Sequence, residues 1–376
     1  MTTKITYSCP DTGFWAEYET LWMNSLHKPV FKSPRYVRYL TERFAGQLAI
    51  CRFTVGEKLC GIAFFRKDGN TYRLLTDLKA DHNFLVIHRD CTREQVQFFF
   101  RGLLAEIKKE NWVLTLRAQP VWAPYIGNLI EAINQSGLFW NVANRSVCPV
   151  LEEATPQEFY KKLNDSRELR YRVNRIKNQL KGTFEIFTGE EDLEAWTEKF
   201  CELHRKRWEG TMTPSRYESA DERLFLKNCL TAWANDNLLV RFSVRVEGER
   251  IAFVICLRQQ NTLVHHSTAY DDNYRKYSPG KALILVIAEW MQQHDMNVLD
   301  FGEGAEPYKY EYANKELELN EISIAPISNL PFILKVKARQ LLRERLAQNP
   351  KLKNFIKKRL THIYQFQNRK ATNDNQ

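Results

Sequence analysis

A chain of 376 residues is long for one hydrophobic core and sufficient for two. Its 44% apolar and 12% aromatic content excludes wholesale disorder, and no run of about 18 uncharged apolar residues marks a membrane span. The net charge of +10 is confined to the tail: Pro331 to Gln376 carries twelve Lys or Arg against two acids, which leaves 43 of each sign in the first 330 residues.

The first residues lack a basic segment followed by an apolar one, so the expectation is a cytoplasmic protein, with peripheral association at the inner membrane surface as the tail's alternative. Eight cysteines are scattered without a Cys-x-x-Cys pair and read as reduced core thiols, with no disulfide and no metal site. Alternating apolar residues predict strands over 48–55, 59–65 and 72–76, then a helix over 93–110 and a strand over 112–118. The same order returns as strands over 239–246, 251–257 and 263–269, a helix over 281–291 and a strand over 298–301. Gly56-Glu57-Lys58-Leu59 is echoed by Gly248-Glu249-Arg250-Ile251 and Asn70-Thr71 by Asn261-Thr262, so the chain reads as a duplication. Between the copies, Thr155-Pro156-Gln157-Glu158 opens a helix expected to run to Leu180, and a second helix covers about 192–208. The tail reads as two basic amphipathic helices divided at Pro350.

The two copies differ where chemistry is expected. In the second, strand 262–269 leads into Tyr270-Asp271-Asp272-Asn273-Tyr274-Arg275-Lys276-Tyr277-Ser278-Pro279-Gly280 and then a helix. A helix start leaves N–H groups without partners and attracts anions. Arg275, Lys276 and Lys281 add positive charge, and small Ser278 and Gly280 admit a ligand to the main chain. The first copy has no such loop before its helix. No Gly-x-Ser-x-Gly elbow is present, and no sequence signature marks any cysteine as a nucleophile, which fits direct transfer without a covalent intermediate. His88-Arg89-Asp90 and Asp300-Phe301-Gly302 imitate two kinase signatures, but the accompanying Gly-rich loop and lysine strand are missing.

Arg275-Lys276-Tyr277-Ser278-Pro279-Gly280 resembles the diphosphate loop of the GNAT acyltransferases, with Ser where the first Gly of that pattern is expected. Together with Asp300-Phe301-Gly302 and Tyr308-Lys309, it is similar to the acetyltransferase-like family of cellulose and exopolysaccharide biosynthesis, relatives of the Fem peptidyltransferases. The resemblance implies a mixed α/β fold of tandem GNAT-like domains. Residues 1–150 would form a degenerate copy, 151–330 the acyltransferase domain and 331–376 a basic helical tail. It further implies acetyl-CoA or another acyl-CoA as donor, bound by Arg275, Lys276, Tyr277, Ser278, Gly280 and Lys281, with no metal. The acceptor would be an amine or hydroxyl of a saccharide or cell-envelope precursor. The expected catalytic residues are Lys309, Tyr308, Glu306, Glu303 and His266; of the neighbours His265 and His266 only one is expected to face the cleft. Acceptor contacts are expected from His204, Trp208, Asp271 and Arg170. Two alternatives stay open: an aminoacyl-tRNA-dependent transferase of the Fem kind and a non-catalytic binding protein. The tail offers tRNA or an anionic membrane surface a binding face.

Overall fold

The computed structural model describes residues 1–349 apart from Ser8, Leu78, Lys79, Met212 and Thr213. The second tail helix expected after Pro350 lies outside the described residues. The first half runs β1 (Thr2–Thr6), α1 (Thr12–Met23), α2 (Pro34–Arg43), β2 (Leu48–Val55), β3 (Lys58–Asp68), β4 (Thr71–Leu74), β5 (Val86–Ile87), α3 (Arg93–Lys109), β6 (Val113–Pro120), α4 (Ile126–Ser136) and β7 (Phe139–Glu152). After α5 (Pro156–Asn164) and α6 (Arg167–Gln179), the second half repeats that order without counterparts of β5 and α4, as β8 (Thr183–Phe187), α7 (Leu193–Trp208), α8 (Ala220–Asn235), β9 (Leu239–Val246), β10 (Glu249–Gln259), β11 (Thr262–Tyr270), α9 (Pro279–Gln293), β12 (Val298–Asp300) and β13 (Lys315–Ala325). Helix α10 (Leu330–Gln348) follows.

Among the described residues one mixed sheet holds twelve strands in the order β1-β2-β3-β4-β6-β13-β7-β12-β11-β10-β9-β8, with β5 on β3 as a thirteenth. The halves exchange their last strands. β7 pairs with β12 of the second half, and β13 pairs with β6 of the first. β7 therefore straddles the expected boundary at residue 150, and its C-terminal end belongs to the other half's sheet.

Helices α1, α2, α7 and α8 cover one face of both halves with a shared core. Trp233 of α8 stacks on Tyr36 of α2 at 4.7 Å, and its Nε1 donates to the Val30 carbonyl at 3.2 Å. The opposite face has two cores, one under α3 and α4 and one under α5, α6 and α9. The helix expected from 155 to 180 is broken: Ser166 caps a new start by accepting from the Leu169 N–H at 3.3 Å, so α6 turns away from α5. α10 buries Ile333 and Val336 and leaves Leu334, Leu341 and Leu342 exposed. Among the described residues no helix is long and apolar enough to cross a membrane.

Candidate active site

β11 and β12 run parallel for three rungs, from Thr262 opposite Val298 to Val264 opposite Asp300, and then part. The gap opens onto a cavity of about 330 Å³ lined by Arg207, His265, Thr268, Tyr270, Arg275, Ser278, Pro279, Gly280, Lys281, Ile284, Tyr308 and Tyr312. Four of the residues expected to bind the donor, Arg275, Ser278, Gly280 and Lys281, thus meet around one space. Lys276 is exposed outside it, beside the Tyr277 ring, and Tyr277 is packed beneath the Arg175 guanidinium at 4.6 Å. Arg175 also donates to the Lys276 carbonyl at 3.0 Å, so this α6 arginine supports the loop from behind.

The loop geometry explains its sequence. Ser278 is left-handed, at φ 50° and ψ 55°, which is why glycine is the usual residue there. A non-glycine residue bears about 1–2 kcal/mol of strain in that conformation. Pro279 opens α9 at a position whose N–H would be unpaired in any case. The Ser278 carbonyl accepts from the Lys281 and Ala282 N–H groups at 3.0 and 3.2 Å, and the Ser278 N–H donates to the Arg275 carbonyl at 3.0 Å. Among the described residues the Gly280 N–H has no acceptor, and a Cβ added at Gly280 would meet no atom within 4 Å. The N–H that this turn leaves open is therefore that of Gly280, fewer groups than the expected helix start offers. Lys281 is half-buried and pairs with Glu311.

The expected catalytic residues separate. Tyr308 lines the cavity; burial, followed by the Glu306 carboxylate, pushes its hydroxyl up to about 12, so it keeps its proton at neutral pH. Lys309 lies behind the cavity wall. Its buried ammonium donates to the carbonyls of Gly302, Glu303 and Gly304 at 3.0, 3.1 and 3.2 Å and pairs with Glu306 at 2.8 Å. Four acceptors around one ammonium describe a clamp on the loop after β12, which corrects the expectation of Lys309 as a catalytic cation near the reacting carbonyl or a phosphate. Glu306 is engaged with Lys309, and Glu303 is held in a two-bond pair with Arg145 at 2.8 and 3.2 Å. Neither is a cavity residue.

The histidine pair is reversed from expectation. His265, not His266, lines the cavity, with its ring 6.1 Å from Phe301. The pairing of β10 with β11 shifts between Ile255 and Cys256, where His266 is the extra residue. His266 points to the first half: its Nδ1 lies 2.9 Å from Asp81 Oδ2, between Phe31 and Trp233. Burial drives the His265 imidazole down to about 4. Burial also acts to raise Asp81, but the hydrogen bond and charge of His266, then His82 and the Glu303 N–H, hold its carboxyl below the ordinary value.

Of the expected acceptor contacts, His204 is buried with Nδ1 2.9 Å from Ser215 Oγ, and Trp208 packs on its ring; neither lines the cavity. Asp271 caps the turn over 272–277 by accepting from the Asn273 N–H at 3.0 Å, and Arg170 lies exposed on α6. These are packing, capping and surface positions, set by helix spacing and turn chemistry. Arg207 is the cavity residue of α7, stacked over Tyr270 at 4.5 Å. Its signal was present one position before Trp208. The contribution of Asp81 has no local signature, because only the fold brings it to β11. There it accepts from the Glu303 N–H at 3.1 Å and fills the space beside Gly302, while His82 Nε2 lies 3.4 Å from Asp300.

A family model described as an acetyltransferase (GNAT) domain matches residues 164–310. FemX is similar in structure, with a TM-score of 0.60 at 10% identity over 86% of this chain and 97% of that one. The L-PGS of Bacillus licheniformis gives 0.57 at 11% over 89% and 98%. The C-terminal domain (DUF2156) of a putative lysylphosphatidylglycerol synthetase from Agrobacterium fabrum gives 0.57 at 10% over 86% and 96%. At such identities the likeness is one of fold. No curated protein matches the chain. The chain thus carries a GNAT acetyltransferase-like domain in its second half, joined by one sheet to a first half with the same order of elements.

Proposed function

We propose that the protein transfers an acyl group, most simply acetyl, from acyl-CoA to an amine or hydroxyl of a saccharide or cell-envelope precursor. The observation that carries this reading is the convergence of Arg275, Ser278, Gly280, Lys281 and Tyr308 on one cavity where β11 and β12 part. The Gly280 N–H and the two cations would hold a diphosphate, and the acyl arm would follow the diverging strands past His265. As the acceptor's lone pair forms the new acyl bond, the carbon–sulfur bond breaks, the Tyr308 hydroxyl gives its proton to the leaving sulfur, and the proton released by the acceptor returns to the Tyr308 oxygen, so the hydroxyl ends as it began. Lys309 serves by fixing the loop that carries Tyr308. The experiment is an acetyl-CoA titration followed by turnover with a saccharide amine acceptor. Tyr308→Phe should bind acetyl-CoA normally and lose about a hundredfold in kcat. Full turnover in that variant removes Tyr308 from the chemistry, and absence of acetyl-CoA binding by the wild type removes the reading.

A second reading, aminoacyl transfer from tRNA, draws support from the likeness to FemX and from α10, where Lys335, Lys337, Arg339, Arg343 and Arg345 are all exposed. Steeply salt-dependent tRNA binding, weakened by changing Lys335, Lys337 and Arg345 to Gln, would favour it over acyl-CoA.

A further inference from the structure

We propose that the first half holds a second ligand site, an arginine-lined pocket that binds the phosphoryl group of a phosphorylated acceptor. β4 and β6 run parallel to the Arg73–Thr115 rung and then part, as β11 and β12 do after Val264 and Asp300. Here too the gap is a cavity, of about 190 Å³. The donor cleft takes Arg207 from α7 and Arg275 from the turn before α9, whereas this pocket is lined by arginines from four strands: Arg66 of β3, Arg73 of β4, Arg117 of β6 and Arg145 of β7.

Their existing partners leave guanidinium N–H groups unused. Arg145 is committed to Glu303. Arg117 and Arg145 share Glu321 only at 3.6 and 3.7 Å, beyond hydrogen-bond distance, and the Arg117 side chain makes no hydrogen bond among the described residues. Arg66 uses its Nε on Gln47 and stacks over Phe44 at 3.9 Å. Arg73 approaches Asp68 at 3.3 Å. Asp68 and Asp77 are the acids in the lining, and Glu303 and Glu321 reach the arginines from outside it, so the cluster is short of hydrogen-bond acceptors in the pocket and not of carboxylates around it. Burial, and then the charge of Arg145, bias the Arg117 guanidinium against its proton. An oxyanion between Arg73 and Arg117 would relieve that repulsion, give Arg117 the hydrogen-bond acceptor it lacks and give Arg73 a second partner beside Asp68. Guanidinium forks match the tetrahedral oxygens of a phosphoryl group, and the volume suits a phosphate with a short substituent. Arg145 connects the pocket to Glu303, whose N–H donates to Asp81 beside β11, so an anion here sits next to the loop that carries Tyr308.

That the ligand is the acceptor rests on the transfer reading above; the existence of the pocket does not. The test is calorimetric titration of inorganic pyrophosphate into an Arg275→Gln protein, which weakens the donor loop as a competing receptor. Saturable binding is expected, weakened about tenfold or more when Arg117→Gln is added. Arg73→Gln, at a half-exposed position that tolerates the change, should act in the same direction. No binding to the Arg275→Gln protein, or unchanged affinity in both added variants, overturns the proposal. Acetyl-CoA binding by the wild type tests the transfer reading separately: a protein that binds pyrophosphate through Arg117 but not acetyl-CoA keeps the pocket and loses the transferase.

Discussion

The helices α3 and α9 occupy the same place in the two halves, and their first turns are opposites. At α3, Thr92 accepts from the Gln95 N–H at 3.3 Å and Gln95 returns a bond to the Thr92 N–H at 2.9 Å, so the chain's own side chains occupy the helix start. At α9, Ser278 makes no side-chain cap, Pro279 has no N–H to cap, and the Gly280 N–H is left open beside a cavity. One end is closed by the chain's own side chains, and the other is left open as the proposed donor site requires.

The comparison can be broken most directly at Gly280. Gly280→Val should weaken acetyl-CoA binding by about a hundredfold or more, with an unchanged melting temperature because the added atoms meet open space. Normal affinity in that variant would mean that the α9 start is not the receptor. A second contrast lies one residue past the last parallel rung, where the first half has Leu74 and the second His265. The folded chain binds the His265 proton less readily than the unfolded chain, whose imidazole titrates near 6.5. This histidine therefore costs nothing above that pH, and its penalty grows as pH falls from 6.5 to about 4, approaching roughly 3 kcal/mol. Urea midpoints at pH 7 and 4.5 should differ less in His265→Leu than in the wild type. Two residues past the rung, the first half has Arg117 and the second Gly302. Gly302 has φ +73°, and an added Cβ would lie 2.5 Å from Asp81 Oδ1, so Gly302→Ala should cost about 2 kcal/mol of stability. An unaltered denaturation midpoint would show that the Asp81 loop yields freely. The smallest effect is expected at the closed helix start, where Thr92→Ala should remove about 1 kcal/mol of stability and leave acetyl-CoA affinity unchanged.

The duplicated meanders were legible because turn chemistry and strand alternation are local: Gly56 and Gly248 both have positive φ at the hairpins the repeat pointed to. The turn into α9 was legible for the same reason, since Ser278, Pro279 and Gly280 meet backbone requirements within one turn. The strand exchange was not. β7 and β13 have ordinary strand sequences, and their partners are chosen by the packing of whole halves. Lys309 was misread because a motif gives the identity of a cation and not the direction of its stem, which here runs back to three carbonyls of its own loop. The exchange of His265 for His266 came from one extra residue in β11, and Asp81 stood 185 residues from its partner, beyond the reach of any local pattern. Helices α1, α2 and α8 carry no functional motif, yet they bind the halves together through Tyr36 and Trp233.

The exchanged strands also set an order of events during synthesis. β6 is complete at Pro120, but one of its edges waits for β13, which ends at Ala325. For some 200 residues of elongation, tens of seconds on a slow ribosome, that edge has no permanent neighbour. Contacts so distant along the chain slow folding, and open strand edges recruit other chains. A nascent chain arrested just before β13 should therefore be the most aggregation-prone species of this protein, and the last strand should close both halves in a single late step.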